Sequence, residues 1–305
     1  MGNSRFLKIL VAVGLVVFAT DCSMTSTAGS TSPNATAEQL AANDLAMSVT
    51  DPTTGTTQEI TDLGSCIFGA WGLNPVPWSL FRAPNFALYL YNDGFLSKKL
   101  VWNQNAYELN ESRSVTAGPI SGTTTIAITI AFFTSTDASG TGVQIAPLTS
   151  GTTPFSSIHS LTYSRQLQGS FSNSTAGVQR QLTSKSNFTV TNLTVGSSSP
   201  GFTLSGGRTD TFNNTYSNGT TVTGSSTETI STPIVVTAVM QSNGSYLVSA
   251  TGVIQVAYQA TITPAGGKSS TVSETATITL NGQETVYIDM GGRHIGVDMT
   301  TGAIE

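Results

Sequence analysis

The sequence predicts an all-β protein: a long-stranded antiparallel meander whose coiled sheet forms a barrel, a half-barrel or a sandwich. From residue 122 onward apolar and small polar residues alternate, so that Ile126, Ile128 and Ile130 share one face of a strand. Some of these segments reach about 15 to 20 residues, against a usual length of about five or six. Glycine-containing turn signals separate the β-branched runs, at positions 217–220, 242–245, 264–267 and 281–282.

The first 21 residues are predicted to be an export signal. Arg5 and Lys8 precede an apolar run, residues 9–19, which is about half the length that a bilayer-spanning helix needs. No later segment supplies about 18 consecutive apolar residues. We therefore expect an exported protein that is outer membrane-anchored, periplasmic or extracellular.

Residues 22–58 are predicted to be a flexible tether rich in Ser and Thr, with a short helix in AEQLAANDLAMS, residues 37–48. Two signal cleavage positions compete at the start of this segment. A cut before Cys22 makes that residue a lipidated N-terminus, followed by a polar tether. A cut after Ala19 leaves Cys22 to pair with Cys66 in an oxidising compartment.

Residues 59–305 are expected to form a single all-β domain. Its first part, residues 59–120, is rich in aromatic residues and proline, and contains a hairpin signal at Asn92-Asp93-Gly94. The β-meander, residues 121–305, follows, with a break in alternation near Asn192 that predicts a β-bulge. Because the hairpins bury one another, we expect removal of the tether through residue 58 to leave stability nearly unchanged.

The composition argues against two classes of partner. Charged residues make up 10% of the chain, the formal net charge is −5, and there are 12 basic residues. Such a chain lacks the positive field that binds phosphate backbones or anionic lipid surfaces. We expect no nucleic acid partner, no cofactor, and membrane contact only through a lipid on Cys22.

No established catalytic motif is present: the chain lacks a G-x-S-x-G elbow, a Cys-x-x-Cys pair, a His-Glu-x-x-His motif and an EF-hand loop. The best cluster is DMGGRHIGVD, in which Asp289, His294 and Asp298 are weak candidates for a metal or acid–base site. The alternative is a purely structural hairpin tip at which Asp289 pairs with Arg293 in solvent.

The C-terminal region resembles the ending of a family of secreted or lipid-anchored bacterial β-meander proteins of unknown function. In that family a Thr-rich strand, an Asn-Gly turn, a Tyr strand and a final Asp-x-x-Thr-Gly follow one another. The segments SRQLQGSF and FALYLYNDG are similar to earlier parts of the family. The residues that match the ending are Asn281, Gly282, Tyr287, Asp298, Thr301 and Gly302.

Together these observations favour a noncatalytic cell-envelope or secreted β-protein that binds an apolar or glycan ligand or serves a structural role. Two alternatives stay open. One is an outer-membrane β-barrel, suggested by an alternating apolar face. The other is a hydrolase with an unrecognised site. The residues of that apolar face are Ile254, Val256, Tyr258, Ala260 and Ile262.

Overall fold

The computed structural model of the chain describes residues 101–117, 120–146, 153–174, 177–194, 201–240, 246–283 and 285–298, and positions 40–42, 44, 45, 48, 55, 56, 59, 60, 63 and 67. A 3-10 helix, Phe155–Ser157, follows the fifth strand. The strands are β1 (Val101–Asn103), β2 (Ala106–Ala117), β3 (Ile120–Phe133), β4 (Ile145–Ala146), β5 (Thr153–Pro154), β6 (Ser160–Asn173), β7 (Val178–Thr194), β8 (Gly201–Tyr216), β9 (Thr221–Met240), β10 (Tyr246–Thr263), β11 (Ser270–Asn281), β12 (Thr285–Met290) and β13 (Arg293–Asp298).

Eleven of these strands form one antiparallel sheet, in the order β1-β2-β3-β6-β7-β8-β9-β10-β11-β12-β13. The order follows the chain, so each strand pairs with its neighbours in sequence, while β4 and β5 form a separate parallel pair. Strands β9 and β10 have 20 and 18 residues. The predicted long-stranded antiparallel meander is confirmed, and its form is an open sheet with β1 and β13 at opposite edges.

Alternation along the strands gives the sheet a buried inner face and an exposed outer face. Ile126, Ile128 and Ile130 of β3 are 3–7% exposed, and the core continues through every long strand. The outer face is small and polar, as at Thr223 and Thr227 of β9, which are exposed. This is the division that the period-2 pattern predicts.

The β-bulge predicted near Asn192 is confirmed. The pairing of β7 with β8 shifts register between Thr191 and Thr194, and Asn192 has a φ of 54°. Asparagine tolerates this left-handed conformation better than most residues. The extra residue returns Leu193 to the buried face at 6% exposure, so the apolar residues on both sides of the break point inward.

Helical residues from the N-terminal part of the chain cover the inner face. The described positions at 40–42, 44, 45 and 48, and again at 56, 59, 60, 63 and 67, are helical and buried. Their spacing of three and four residues places them on one face of a helix. We call these residues the helical segment; its large apolar members are Leu40, Leu45, Ile60, Leu63 and Ile67, all 6% exposed or less.

The helical segment corrects one expectation and confirms another. A flexible tether is the wrong description of its residues between 40 and 58, because they are packed into the core of the sheet. The short helix expected within residues 37–48 is present at its described positions. The Ser- and Thr-rich composition concealed a one-sided stripe of buried, mainly apolar residues, which needs a partner surface. Its members are Leu40, Ala41, Asp44, Leu45 and Ser48.

Several sequence-based expectations lie outside the described residues. They include Cys22, Cys66, the hairpin at 92–94 and the turn at 242–245.

Within the described part of the chain, no helix is long and apolar enough to cross a bilayer.

Replacement of Gly282 by valine is expected to destabilise the protein by about 1–3 kcal/mol. Gly282 has a φ of 78°, and a Cβ atom there would lie 2.6 Å from Oγ of Ser249. A β-branched side chain resists this backbone conformation. Gly282→Asn should lower the free energy of unfolding by less, because asparagine tolerates the conformation. Urea denaturation of both variants measures the difference. Equal losses in the two would show that backbone conformation does not set the cost at this turn.

Candidate functional site

A groove on the outer face crosses strands β2, β3 and β6. It has a volume of about 400 Å³, within the range of about 300–1,000 Å³ typical of small-ligand sites. Its lining carries hydroxyl and amide groups, and no ionisable side chain contributes to it. The lining residues are Ser112, Ser114, Thr123, Thr124, Thr125, Gln168, Gly169 and Ser170.

The strand register arranges six exposed side chains of the groove as a grid of two rows. Ser112, Thr125 and Gln168 lie directly opposite one another across β2, β3 and β6, and the next row holds Ser114, Thr123 and Ser170. Neighbours within a row are about 4.8 Å apart, and the rows are about 7 Å apart along the strands. All six belong to strands of the sheet, which fixes their relative positions.

The hydroxyls of the groove leave much of their hydrogen-bonding capacity unused. Oγ of Ser112 and Oγ1 of Thr125 lie 3.0 Å apart and share one hydrogen bond. A hydroxyl can donate one and accept two, and the Gln168 amide can do both. The groove therefore offers mixed donors and acceptors to a neutral ligand.

A second polar feature, which we call the buried polar cluster, lies between the inner face and the helical segment. Every member is buried in the core rather than exposed at an opening. Its strand members come from β6 to β10 and its helical members from both runs of the helical segment. They are Arg165, Arg180, Ser184, Ser186, Arg208, Asp210, Asn214, Ser226, Glu228 and Tyr258, with Asp44, Ser48, Thr56 and Glu59.

Ion pairs organise the centre of this cluster. Arg208 donates from Nε to Oδ1 of Asp210 and from Nη2 to Oδ2, both at 2.7 Å. Nη2 of Arg165 donates to Oε2 of Glu59 at 2.7 Å, and Nη1 of Arg208 lies 3.8 Å from the same oxygen. Glu59 therefore connects the helical segment to two arginines of the sheet. The bidentate, buried pair of Arg208 and Asp210 is strong and geometrically specific.

Hydrogen bonds from the rest of the helical segment extend this connection. Ser48 donates to Oδ2 of Asp210 at 3.0 Å, and Thr56 donates to Oε2 of Glu228. Asp44 accepts from Nδ2 of Asn214 and from the hydroxyl of Tyr258. The helical segment is therefore held by charge and hydrogen bonding as well as by apolar packing.

Burial shifts the proton affinities of the cluster in two directions. It raises the pKa of Glu228 to about 7, although the charge of Arg208 opposes the change. It also raises the pKa of Asp44, against the opposing charge of Arg180. Burial acts the same way on Asp210, but the charge and hydrogen bonds of Arg208 outweigh it and lower that pKa. The protonated form of Glu228 is therefore favoured by folding.

The raised pKa of Glu228 predicts that stability falls as the pH rises. The loss occurs between the ordinary value of 4.5 and about 7, because the folded state binds the proton more tightly than the unfolded state. We expect a loss on the order of 2–3 kcal/mol across this window. Asp44 acts in the same direction, whereas the stabilisation from Asp210 is lost only at pH below 3.8.

Glu228→Gln should remove most of this pH dependence and stabilise the protein at about pH 8, because glutamine still accepts from Thr56 without a charge. Urea denaturation at about pH 5 and pH 8 measures the effect. Glu274→Gln, at a half-buried position of β11, is the matched control and should leave the slope unchanged. If the free energy of unfolding of Glu228→Gln changes with pH as steeply as that of the wild type, Glu228 is not the source of the pH dependence.

The structure brings together two of the three residues suggested by the sequence. His294 and Asp289 lie opposite each other on β13 and β12, and Nδ1 of His294 donates to Oδ1 of Asp289 at 2.6 Å. Their side chains are 62% and 52% exposed, and the Tyr287 ring stacks on the imidazole at 4.8 Å. Asp298 pairs with Thr285 at the far end of the hairpin, so the strand register separates it from the pair.

This exposed pair does not extend to a metal centre in the described part of the chain, where no group of three or more His, Cys, Asp or Glu residues could hold a metal ion. The contact of Asp289 that the structure describes is the one with His294. Cys22, the predicted lipidation site, lies outside the described residues. The apolar face that suggested a membrane barrel, Ile254 to Ile262, lies in the core on the inner face.

Sequence reasoning missed the buried polar cluster, although a signal for it exists. Arg165 is in phase with Tyr163 and Leu167, and Asp210 is in phase with Phe212. A charged residue at an inward position of an alternating strand must find a partner inside. Comparison with known protein families, curated proteins and solved structures finds no match.

Proposed function

We propose that the protein is a noncatalytic cell-envelope or secreted β-protein that binds a neutral glycan in the groove across β2, β3 and β6. The observation that carries this is the grid of six exposed hydroxyl and amide side chains on three adjacent strands. Sugar hydroxyls both donate and accept hydrogen bonds, as these side chains do. The lining has no charge that would select an ionic ligand.

The fold supports a binding role because the grid lies on strands within the sheet. Sites built on strands hold their geometry better than sites on loops, which reduces the ordering cost of binding. The buried polar cluster does not offer an alternative reaction site in this arrangement. Glu59, Asp210 and Glu228 are 2% exposed or less, and a substrate would have to displace the helical segment to reach them.

An NMR titration with neutral hexasaccharides of glucose and of N-acetylglucosamine tests the proposal. Backbone amide shifts should concentrate at the groove. Gln168→Ala and Thr125→Val should each weaken binding about 2- to 12-fold, since a neutral hydrogen bond contributes about 0.5–1.5 kcal/mol. The matched control is Gln259→Ala, an exposed residue of the outer face on β10. Absence of localised shifts, or equal weakening in the control, would overturn the proposal.

Export and a lipid anchor on Cys22 are part of the proposed function, and the N-terminal sequence supports them. Intact-mass spectrometry of the protein from its native host is the measurement. We expect a chain that begins at Cys22 and carries a diacylglycerol or triacyl mass. A chain that begins at Thr20, with Cys22 and Cys66 joined in a disulfide, would contradict the anchor.

A further inference from the structure

Arg180 is the one arginine of the buried polar cluster whose side-chain nitrogens all lack a hydrogen-bond partner among the described residues. It lies on the inner face of β7, opposite Asn214 of β8, and is 5% exposed. Its guanidinium carbon lies 5.8 Å from the centre of the Phe212 ring. A guanidinium carries five N–H donors, so its burial without acceptors requires an explanation.

Two neighbouring carboxylates, those of Asp44 and Asp210, accept no hydrogen bond from Arg180, because none of its side-chain nitrogens has a partner. Asp44 accepts from Asn214 and Tyr258, and Asp210 accepts from Arg208 and Ser48. Both carboxylates are close enough to Arg180 for its charge to act on their pKa values. The N–H donors of Arg180 therefore stay without an acceptor among the described residues although two carboxyl groups are near.

The three arginines of the cluster differ in their ionic partners. Arg165 and Arg208 are paired with Glu59 and Asp210. Burial raises the pKa values of Glu228 and Asp44, which favours the neutral form of each carboxyl group. The third guanidinium, that of Arg180, has neither an ion pair nor a hydrogen bond among the described residues.

A second unpartnered donor lies beside Arg180. Tyr216 pairs with Val178, two residues before Arg180 on the same face of β7, which makes the two side chains diagonal neighbours. The Tyr216 hydroxyl is buried and has no hydrogen-bond partner among the described residues. The charge of Arg180 acts on the pKa of Tyr216, so the two groups are close in the core. A neighbouring guanidinium and hydroxyl, both without partners, form the donor set of an anion site.

We propose that Arg180 and the Tyr216 hydroxyl bind a small monovalent anion, a halide or a short carboxylate such as formate, between the sheet and the helical segment. A single guanidinium with the carboxyl groups of Asp44 and Asp210 nearby favours a monovalent ion over phosphate or sulfate. The enclosure by the helical segment favours a small one. This site is on the inner face and is independent of the outer groove and of its proposed glycan.

Thermal unfolding of the full chain at about pH 6 tests the site at constant ionic strength, with chloride or formate replacing a bulky anion such as gluconate. Unfolding and refolding give the ion access, so its entry path does not limit the measurement. For a dissociation constant near 1 mM we expect the midpoint to rise by about 5 °C between 1 and 100 mM anion. A midpoint that does not change would overturn the proposal. That result is also expected if a water molecule bridges Arg180, Tyr216 and Oδ1 of Asn214.

Variants separate this site from general salt effects. Arg180→Met should abolish the anion dependence, whereas Arg165→Met should lower stability and retain it. Equal dependence in all three proteins would assign the effect to the bulk salt and overturn the site. Tyr216→Phe, which keeps the ring, should reduce the dependence of the midpoint on the anion. It replaces Arg180→Met if that variant does not fold.

A crystal of the wild type grown in bromide should show anomalous density within about 3.5 Å of the Arg180 nitrogens. Absence of that density would equally count against the site.

Discussion

Removal of residues 1–67 is expected to abolish the cooperative unfolding transition of the sheet, because it removes the helical segment from the inner face. The segment contributes five large apolar side chains that are 6% exposed or less. Each buried side chain of this size contributes about 1.5–3 kcal/mol. Their sum is comparable with the about 5–15 kcal/mol by which an entire domain is stable.

The same truncation leaves polar groups of the sheet without partners. Arg165 loses Glu59, and Tyr258 loses Asp44. Differential scanning calorimetry measures the transition, and removal of residues 1–39 is the matched control because it deletes none of the described positions. If the chain that begins at residue 68 unfolds at the same midpoint as the full chain, the meander is stable without its helical cover.

Arg208→Met is expected to destabilise the protein by about 3–5 kcal/mol, the usual loss when one partner of a buried ion pair is removed. The Arg208 guanidinium holds Asp210 through two hydrogen bonds of 2.7 Å and lies 3.8 Å from Glu59. Methionine fills much of the volume but leaves the Asp210 carboxylate buried beside an apolar chain. Urea denaturation at about pH 7 measures the loss.

Two further variants separate the charge from the packing. Arg208→Met combined with Asp210→Leu should recover much of the stability, because it removes both members of the buried Arg208–Asp210 ion pair instead of one. Arg293→Met, at an exposed position of β13, should change stability by less than about 0.5 kcal/mol. If the double variant is no more stable than Arg208→Met, shape rather than charge determines the contribution of Arg208.

The architecture was largely predictable because its causes are local. Alternation places Ile126, Ile128 and Ile130 on one face, and turns with a glycine at positive φ join β8 to β9, β10 to β11 and β12 to β13. Much of the meander therefore follows from neighbouring residues. The bulge at Asn192 was predictable for the same reason, since a break in alternation requires an extra residue. Strand length alone did not decide between an open and a closed sheet.

The helical cover was harder to predict because two signals compete in the same residues. The flanking Ser, Thr and Gly favour a flexible chain, whereas the stripe through Leu40, Asp44 and Ser48 favours a helix packed on one side. The polar members of the stripe, Asp44 and Ser48, weaken its apolar character. Their partners lie on β8 and β10, and nothing local to the helix indicates them.

The groove and the buried polar cluster both depend on register, which alternation does not determine across strands. Ser112, Thr125 and Gln168 form a row only because β2, β3 and β6 pair with a specific offset. A shift of one residue in any pairing would move these side chains to the other face. The exposed Asp289–His294 pair was predictable because the Gly291–Gly292 turn fixes the offset of a short hairpin.

The bond between Asp44 and Tyr258 joins residues that are 214 positions apart, and this separation orders the events of folding. Closing a loop of that length directly costs roughly 5 kcal/mol of chain entropy. Successive hairpins avoid most of this cost, because each closes a short loop and brings the next strand alongside the last. The helical segment leaves the ribosome first, yet its partners on β10 are among the last to form. The helical segment therefore docks late. During synthesis and any export, its apolar residues remain exposed for longer than the apolar residues of the sheet on which it finally packs.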